Sequence, residues 1–317
     1  METKMCLGTA AIGRPVYINI KQKSEKKNFD INEFKVNGLE FLNYAYKVGI
    51  KHFDTAPSYG IAETMIAEWI RSNNINDVEI SSKWGYSYEA GFKIDAQIHE
   101  LKEHSLEKLN LQWIGTKKLL PYLKIYQIHS ATIESGVLEN SIVLDKLYEI
   151  KKEHGLAIGL TCTGAKQSET IKKALAIKIN NESLFTSVQV TYNVFEQSIM
   201  EISSYIRNHG VNLIIKESMA NGKVFKNNSY PHHNNMYQLI DELCHKYATT
   251  PDAIALRFVI DSISPNMLLI GAATQEQLQS NLNNTHFVLE KEDIQRVEKL
   301  KQSPSEYWNE RSKLEWN

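Results

Sequence analysis

The amino-acid sequence predicts one domain over residues 1–317, a (β/α)8 TIM barrel with an extra helical segment at its C-terminal end. Three observations carry that expectation. Short apolar runs alternate with amphipathic patterns along the whole chain, the signature of parallel strands joined by crossover helices. No Pro-, Gly- or Ser-rich linker divides the alternation, and only Lys21 to Asn37 and Lys226 to Asn235 read as long loops. The segment after the first apolar run, Gly8-Thr9-Ala10-Ala11-Ile12-Gly13, lacks the G-x-G-x-x-G of a dinucleotide-binding open sheet, which leaves the barrel as the better reading.

Taken in order, the expected strands are Met5–Thr9, Lys51–Thr55, Val78–Lys83, Lys124–His129, Ala157–Thr161, Ser187–Thr191, Val211–Lys216 and Met267–Gly271. The expected helices between them are Gly38–Val48, Ala62–Ser72, Gln97–Leu109, Ser141–His154, Gln167–Ile177, Ile199–His209, Asn235–Tyr247 and Gln275–Asn284, because their apolar positions recur at three and four. In the second of these, Met65, Ile66, Trp69 and Ile70 make one stripe, and Glu63 and Glu68 fall off it. Pro251 after Thr249-Thr250 suits the first turn of a further helix, since proline lacks a donor that is orphaned there anyway.

Composition excludes several classes of function. With 42% hydrophobic residues in 317, the chain buries a full core without staples. Lys plus Arg number 36 against 37 Asp plus Glu, so no surplus of positive charge answers a nucleic-acid backbone. Cys6, Cys162 and Cys244 are scattered, which argues against a disulfide framework and against a zinc or iron–sulfur site. The first eight residues hold no apolar run after a basic cluster, and no later stretch approaches the roughly 20 apolar residues of a membrane span. A soluble, cytoplasmic protein is expected, without nucleic-acid or membrane partners, as a monomer or small homo-oligomer.

Working residues of such a barrel stand at the C-terminal ends of the strands. Those ends carry Asp54 and Tyr59, then Lys83, then His129. Singly, each has a bland reading: Asp54 as a loop or capping acid, Lys83 as a solvated strand end, His129 as a structural histidine. Their conjunction at three consecutive strand ends points to one site. Here the sequence resembles the aldo-keto reductase superfamily, whose catalytic Asp, Tyr, Lys and His occupy these positions. The likeness runs through Gly8-Thr9, Gln189-Val190-Thr191-Tyr192-Asn193, Lys216-Glu217-Ser218-Met219-Ala220-Asn221-Gly222 and Gly271-Ala272-Ala273-Thr274 to Asn281. It is most specific for a bacterial subgroup with Tyr-Gln-Ile-His-Ser-Ala-Thr, here Tyr126–Thr132, and a terminal Tyr-Trp-x-x-Arg-Ser, here Tyr307–Ser312.

The resemblance implies hydride transfer between nicotinamide C4 and a carbonyl carbon of a small-molecule aldehyde or ketone, or the reverse from an alcohol. Tyr59 would give the proton. Its phenol, ordinarily with a pKa near 10, would be eased toward the phenolate by Lys83, itself held by Asp54, while His129 orients the carbonyl. By position, Gly8, Thr9 and Asp54 would border the cofactor, and Thr161 and Gln189 would bond the carboxamide. Lys216, Glu217, Met219, Asn221 and Gly222 would line the loop near its phosphates, Gly271 and Ala273 would bind those phosphates, and Gln277 and Asn281 would hold the adenosine end. Three positions depart from the family pattern: Cys162 replaces an Asn, Lys216 an aromatic that stacks on nicotinamide, and Gln277 an Arg that grips a 2′-phosphate. NADP(H) is the family default, and the Gln277 departure keeps NAD(H) as the alternative.

Substrate contacts are expected from Trp84 and Tyr86, with Trp308 and Trp316 of the tail either covering the mouth or packing on the barrel wall. Asn19 to Asn32 reads as a surface insertion before it reads as a lid. His232-His233 reads as an exposed loop and not a metal site, because adjacent side chains seldom converge and no carboxylate or thiol neighbours them in sequence. Two rival readings share these residues: a nicotinamide-binding sensor subunit with vestigial catalysis, and a lyase using Lys83 as a Schiff base.

Overall fold

A computed structural model describes residues 2–20 and 29–316. Among the described residues twelve strands form: β1 (Lys4–Gly8), β2 (His52–Asp54), β3 (Glu79–Trp84), β4 (Tyr86–Tyr88), β5 (Glu100–Lys102), β6 (Leu123–Ala131), β7 (Ala157–Cys162), β8 (Lys178–Ile179), β9 (Glu182–Ser183), β10 (Phe185–Thr191), β11 (Asn212–Lys216) and β12 (Met267–Ile270). Eight of them close a parallel barrel in the order β1-β12-β11-β10-β7-β6-β3-β2. The TIM barrel expected from the alternation is therefore the fold, with helices Lys291–Glu298 and Pro304–Ser312 added at the C-terminal end. No helix among the described residues is long and apolar enough to cross a membrane.

Alternation along each strand sorts the residues into two layers. Outward positions such as Leu7, Phe53, Tyr126, Leu160, Val188 and Leu268 join the large core beneath the helices. Inward positions change character along the axis. At the bottom, Cys6, Ile125, Ile214, Met267 and Leu269 form a small apolar plug. One or two inward positions further along the same strands stand Gln127 and His129 on β6 and Lys216 on β11, with Asp54, Lys83 and Gln189 on their neighbours. Register then decides who meets whom: Gly8 pairs with Asp54, Asp54 with Ser81, Lys83 with Gln127 and Gln189 with Thr161. Gly159 lets this layer close, since a Cβ there would meet Ser187 O at 2.9 Å and Gln127 Cγ at 3.1 Å.

Helices Ala62–Ser72 and Ser141–His154 stand where the periodicity puts them. Four expectations need correction. The helix Ile31–Lys47 begins inside the segment read as a loop, because the Asp30 carboxylate accepts from the backbone of Asn32 and Glu33 and caps it; residues 21–28 of that segment, and with them most of the lid considered at Asn19 to Asn32, lie outside the described residues. The stretch read as a helix from Gln97 instead holds strand β5, which pairs antiparallel with β4, and the helix starts at Leu106 under the Ser105 cap. Glu63 does not lie off the buried stripe: it is buried, accepts from Ser82 Oγ at 2.6 Å and Thr116 Oγ1 at 2.9 Å, and burial raises its carboxyl. His233 is buried rather than exposed, and a carboxylate from the distant Glu310 stands beside it.

Candidate active site

The C-terminal mouth gathers the four residues expected there. Lys83 on β3 is fully buried and donates to Asp54 Oδ1, to Thr55 O at 3.0 Å and to Tyr59 Oη at 3.2 Å. Asp54 at the end of β2 accepts through Oδ2 from Ser81 Oγ at 2.7 Å and Gln189 Nε2 at 2.9 Å. That ring of donors answers the desolvation of a carboxylate inside the barrel. Tyr59 follows the turn Thr55 to Ser58 and is buried, its ring edge-on to His129 at 5.8 Å between centroids.

His129 owes its place to a bulge in β6: the register with β7 shifts between Ile128 and Ala131, and Ser130 adopts φ 51°. The Ser130 N–H donates to Thr161 Oγ1 at 2.7 Å, and Lys102 Nζ donates to Ser130 O at 2.7 Å, so the bulge is pinned from two sides.

Electrostatics depart from the expectation at Tyr59. Burial, then the Asp54 charge, push its phenol well above the ordinary range, and Arg14 only partly opposes them. Burial and the carboxylate together keep the proton on Tyr59 rather than easing it off. Burial, followed by the cations Lys83, Arg14 and Lys216, drives the His129 imidazole well below its usual range, so the ring is neutral.

Of the four expected residues, Tyr59 and His129 border a cavity of about 140 Å³ that also touches Tyr86, Thr161, Gln189, Lys216 and Trp316, and Asp54 and Lys83 stand behind them. The cavity is smaller than the roughly 300 Å³ at which small-molecule sites begin. The cover explains the size. Arg14, buried behind the first strand, donates to Ser58 O at 3.0 Å and Glu100 Oε1 at 2.6 Å and stacks 4.8 Å from the Trp316 ring and 5.2 Å from each of the Tyr17 and Tyr59 rings. Trp316 in turn stacks on His99 at 4.5 Å and bridges to Ile18. Arg14, Tyr17 and Glu100 escape a sequence reading because hairpin β4–β5 and the tail bring them in.

Glu217 closes the other side. Arg311 Nε bonds both its oxygens, at 3.1 and 2.8 Å, and Nη2 also bonds Oε1. Burial works to raise the Glu217 carboxyl, but Arg311 and Lys216 outweigh it and hold it down to about 2. A lowered carboxylate stabilises above its unfolded value of about 4.3 and loses that contribution as pH falls toward its folded value. The tail should therefore stay docked from pH 8 to 5 and release between about pH 4 and 2. Hydrogen–deuterium exchange of residues 304–316 reads this, and Arg311→Met should release the tail at neutral pH; a tail equally protected in that variant would remove the pair from the docking.

The remaining expected residues divide. Lys216 donates to Thr191 Oγ1 at 2.8 Å and lies 3.7 Å from Glu217. Thr9 Oγ1 donates to Asp54 O at 3.0 Å, beside Gly8. Asn221, in the left-handed region at φ 56°, donates to Ile18 O at 2.9 Å and clasps the N-terminal segment, with Met219 and Gly222 flanking it. Gly271 is exposed with nothing within 4 Å of a side-chain position, next to the N-terminus of helix Gln275–Asn283. Gln277 Oε1 accepts from Ala273 N at 2.8 Å, so that N–H is engaged within the loop. Asn281 is buried and donates to Asp252 at 2.6 Å, so its amide is tied to helix Pro251–Ile263. Trp84 is fully buried, packs on His104 and does not border the cavity, because it alternates outward after inward Lys83; Tyr86, across a turn, does border it. Trp308 packs on Tyr307, and Trp316 is the tail aromatic that covers the mouth.

A family model described as the aldo/keto reductase family matches residues 4–302. The chain belongs to the aldo/keto reductase family. It is accordingly an oxidoreductase that works with a nicotinamide cofactor. A probable aldo-keto reductase of Glycine max is 24% identical over 285 residues, covering 82% of this chain and 78% of that protein. L-galactose dehydrogenase of Arabidopsis thaliana is 21% identical, over 75% of this chain and 74% of its own length. Among solved structures, an aldo-keto reductase of Bacillus halodurans in its holo form aligns with a TM-score of 0.69 at 17% identity, over 95% of this chain and 92% of that one. The residues of this aldo/keto reductase fit such a cofactor at two places: Thr161 and Gln189 border the cavity, and the open space at Gly271 adjoins a helix N-terminus suited to phosphate.

Proposed function

We propose that this enzyme interconverts an aldehyde or ketone and the corresponding alcohol, with Tyr59 as the proton donor in reduction. The observation that carries the reading is the buried relay in which Lys83 Nζ is 3.2 Å from Tyr59 Oη while paired with Asp54. Bound nicotinamide supplies the hydride to the carbonyl carbon, or takes it from the alcohol. Tyr59 Oη holds the proton that the carbonyl oxygen takes as it becomes an alkoxide, and the raised phenol ensures that the proton is present beforehand. Lys83 stands ready to meet the negative charge left on Tyr59 Oη, and Asp54 holds Lys83 at that distance. Neutral His129 offers a hydrogen bond to the substrate oxygen without adding charge. Gln189, held by Asp54, and Thr161 would hold the carboxamide.

Turnover of either reduced nicotinamide with a panel of small aldehydes and ketones tests this; a folded protein that binds cofactor but turns over no carbonyl would favour the sensor reading. Because burial keeps His129 neutral, kcat between pH 6 and 8 should show no step near 6.5. A step there that disappears in His129→Gln would contradict the neutral role.

NADP(H) is the proposed cofactor, with NAD(H) also accepted, since the segment from Gly271 to Asn281 contains no Lys or Arg to pair a 2′-phosphate. Gln277→Arg is expected to raise the NADPH over NADH preference by about tenfold or more, the worth of a charge-assisted hydrogen bond. Fluorescence titration of both cofactors reads it, and an unchanged ratio would move the 2′-phosphate away from this loop.

A further inference from the structure

The turn Pro231–His233 and the C-terminal helix Pro304–Ser312 meet outside the cavity lining. One ligand atom each from His232, His233 and Glu310 lie within 4.8 Å of one another. Tight 3-10 winding sets the two adjacent rings 4.1 Å apart between centroids, and Phe195 packs His233 from behind at 4.7 Å. Each Nε2 faces a different oxygen of Glu310, His232 at 3.5 Å from Oε1 and His233 at 3.6 Å from Oε2. His233 is only 4% exposed, and its Nε2 has no hydrogen-bond partner. A buried polar nitrogen left in this way, aimed at a carboxylate and beside a second imidazole, calls for a ligand.

We propose that His232, His233 and Glu310 bind a divalent transition-metal ion of the Zn²⁺ or Ni²⁺ kind through two imidazole nitrogens and one carboxylate oxygen. Imidazole with carboxylate is a donor set that suits these ions. Tetrahedral ligation at about 2.0–2.1 Å needs donor atoms about 3.3 Å apart, a contraction that the exposed His232 side chain can make by rotation. Lys223 is the competitor: its Nζ donates to Glu310 Oε2 at 2.7 Å. Oε1, which accepts a longer bond from Gln302 Nε2 at 3.3 Å, is the oxygen for the ion, and the nearby ammonium and amide make this site weaker than a closed structural zinc site. Its consequence is mechanical. Glu310 is followed by Arg311, which grips Glu217 at the cavity, so a bound ion ties the 223–233 loop to the tail over the mouth.

The test uses the full chain without a histidine tag, stripped with chelator and titrated with Zn²⁺ by calorimetry and Co²⁺ by visible absorption. One equivalent is expected in the wild-type protein, with binding at least about tenfold weaker in His232→Ala and His233→Ala. His232 is exposed, so its variant keeps the fold if His233→Ala does not, and melting temperatures in chelator compare the two. Lys223→Met should bind more tightly than wild type. Absence of binding in the wild-type protein overturns the proposal, as does one-equivalent binding that survives His232→Ala/His233→Ala unchanged.

Discussion

Tyr59→Phe is expected to lower kcat for carbonyl reduction by at least about a hundredfold while leaving the cofactor dissociation constant unchanged. The ring is buried, packs edge-on to His129 and lies under Arg14, and phenylalanine keeps all of that contact. What disappears is one oxygen, 3.2 Å from Lys83 Nζ. That nitrogen retains Asp54 and Thr55 O, so the lysine stays in place and stability changes little. The loss therefore falls on proton transfer alone. Steady-state kinetics with cofactor titration separate the two quantities, and a variant that keeps full turnover would remove Tyr59 from the chemistry.

Lys83→Met is expected to have the largest effect on stability. The Asp54 carboxylate is 2% exposed and keeps its hydroxyl and amide donors, but it would lose its ammonium. Leaving one member of a buried pair uncompensated costs about 3–5 kcal/mol. The double variant Asp54→Asn/Lys83→Met removes both charges and should recover most of that stability without recovering activity. Denaturant unfolding of the wild type, the single variant and the double variant closes the comparison. If the single variant matched wild-type stability, the buried ion pair would not be a determinant of stability.

Much of the architecture was legible because the determining signals are local. Eight apolar runs at regular intervals specify parallel strands, and helix Ala62–Ser72 carries its stripe and ends within a few adjacent residues. Hairpin β4–β5 is not legible in the sequence because Gln97 to Leu109 mixes a short strand with the first turn of a helix, and periodicity averages over both. Glu63 was misplaced for a related reason: a charged residue reads as solvent-facing until its distant donors Ser82 and Thr116 are known.

The candidate site divides along the same line. Asp54, Tyr59, Lys83 and His129 could be picked from the sequence because a barrel sends the end of every strand to one mouth, whatever the intervening helices do. The cover over that mouth could not. Arg14 and Tyr17, Glu100 and Trp316 come from three separate segments, and Glu217 meets Arg311 across 94 positions. Nor could the protonation preferences be read in advance, since Tyr59 and His129 are governed by burial and by the sum of surrounding charges. The sequence alone determined the barrel, the places of its strands along the chain and the residue types at its mouth, because spacing and side-chain periodicity are properties of the chain. Only the tertiary structure decided which charges pair, which imidazoles lose their solvent and what closes the cavity, because these depend on distances between residues that the chain holds far apart.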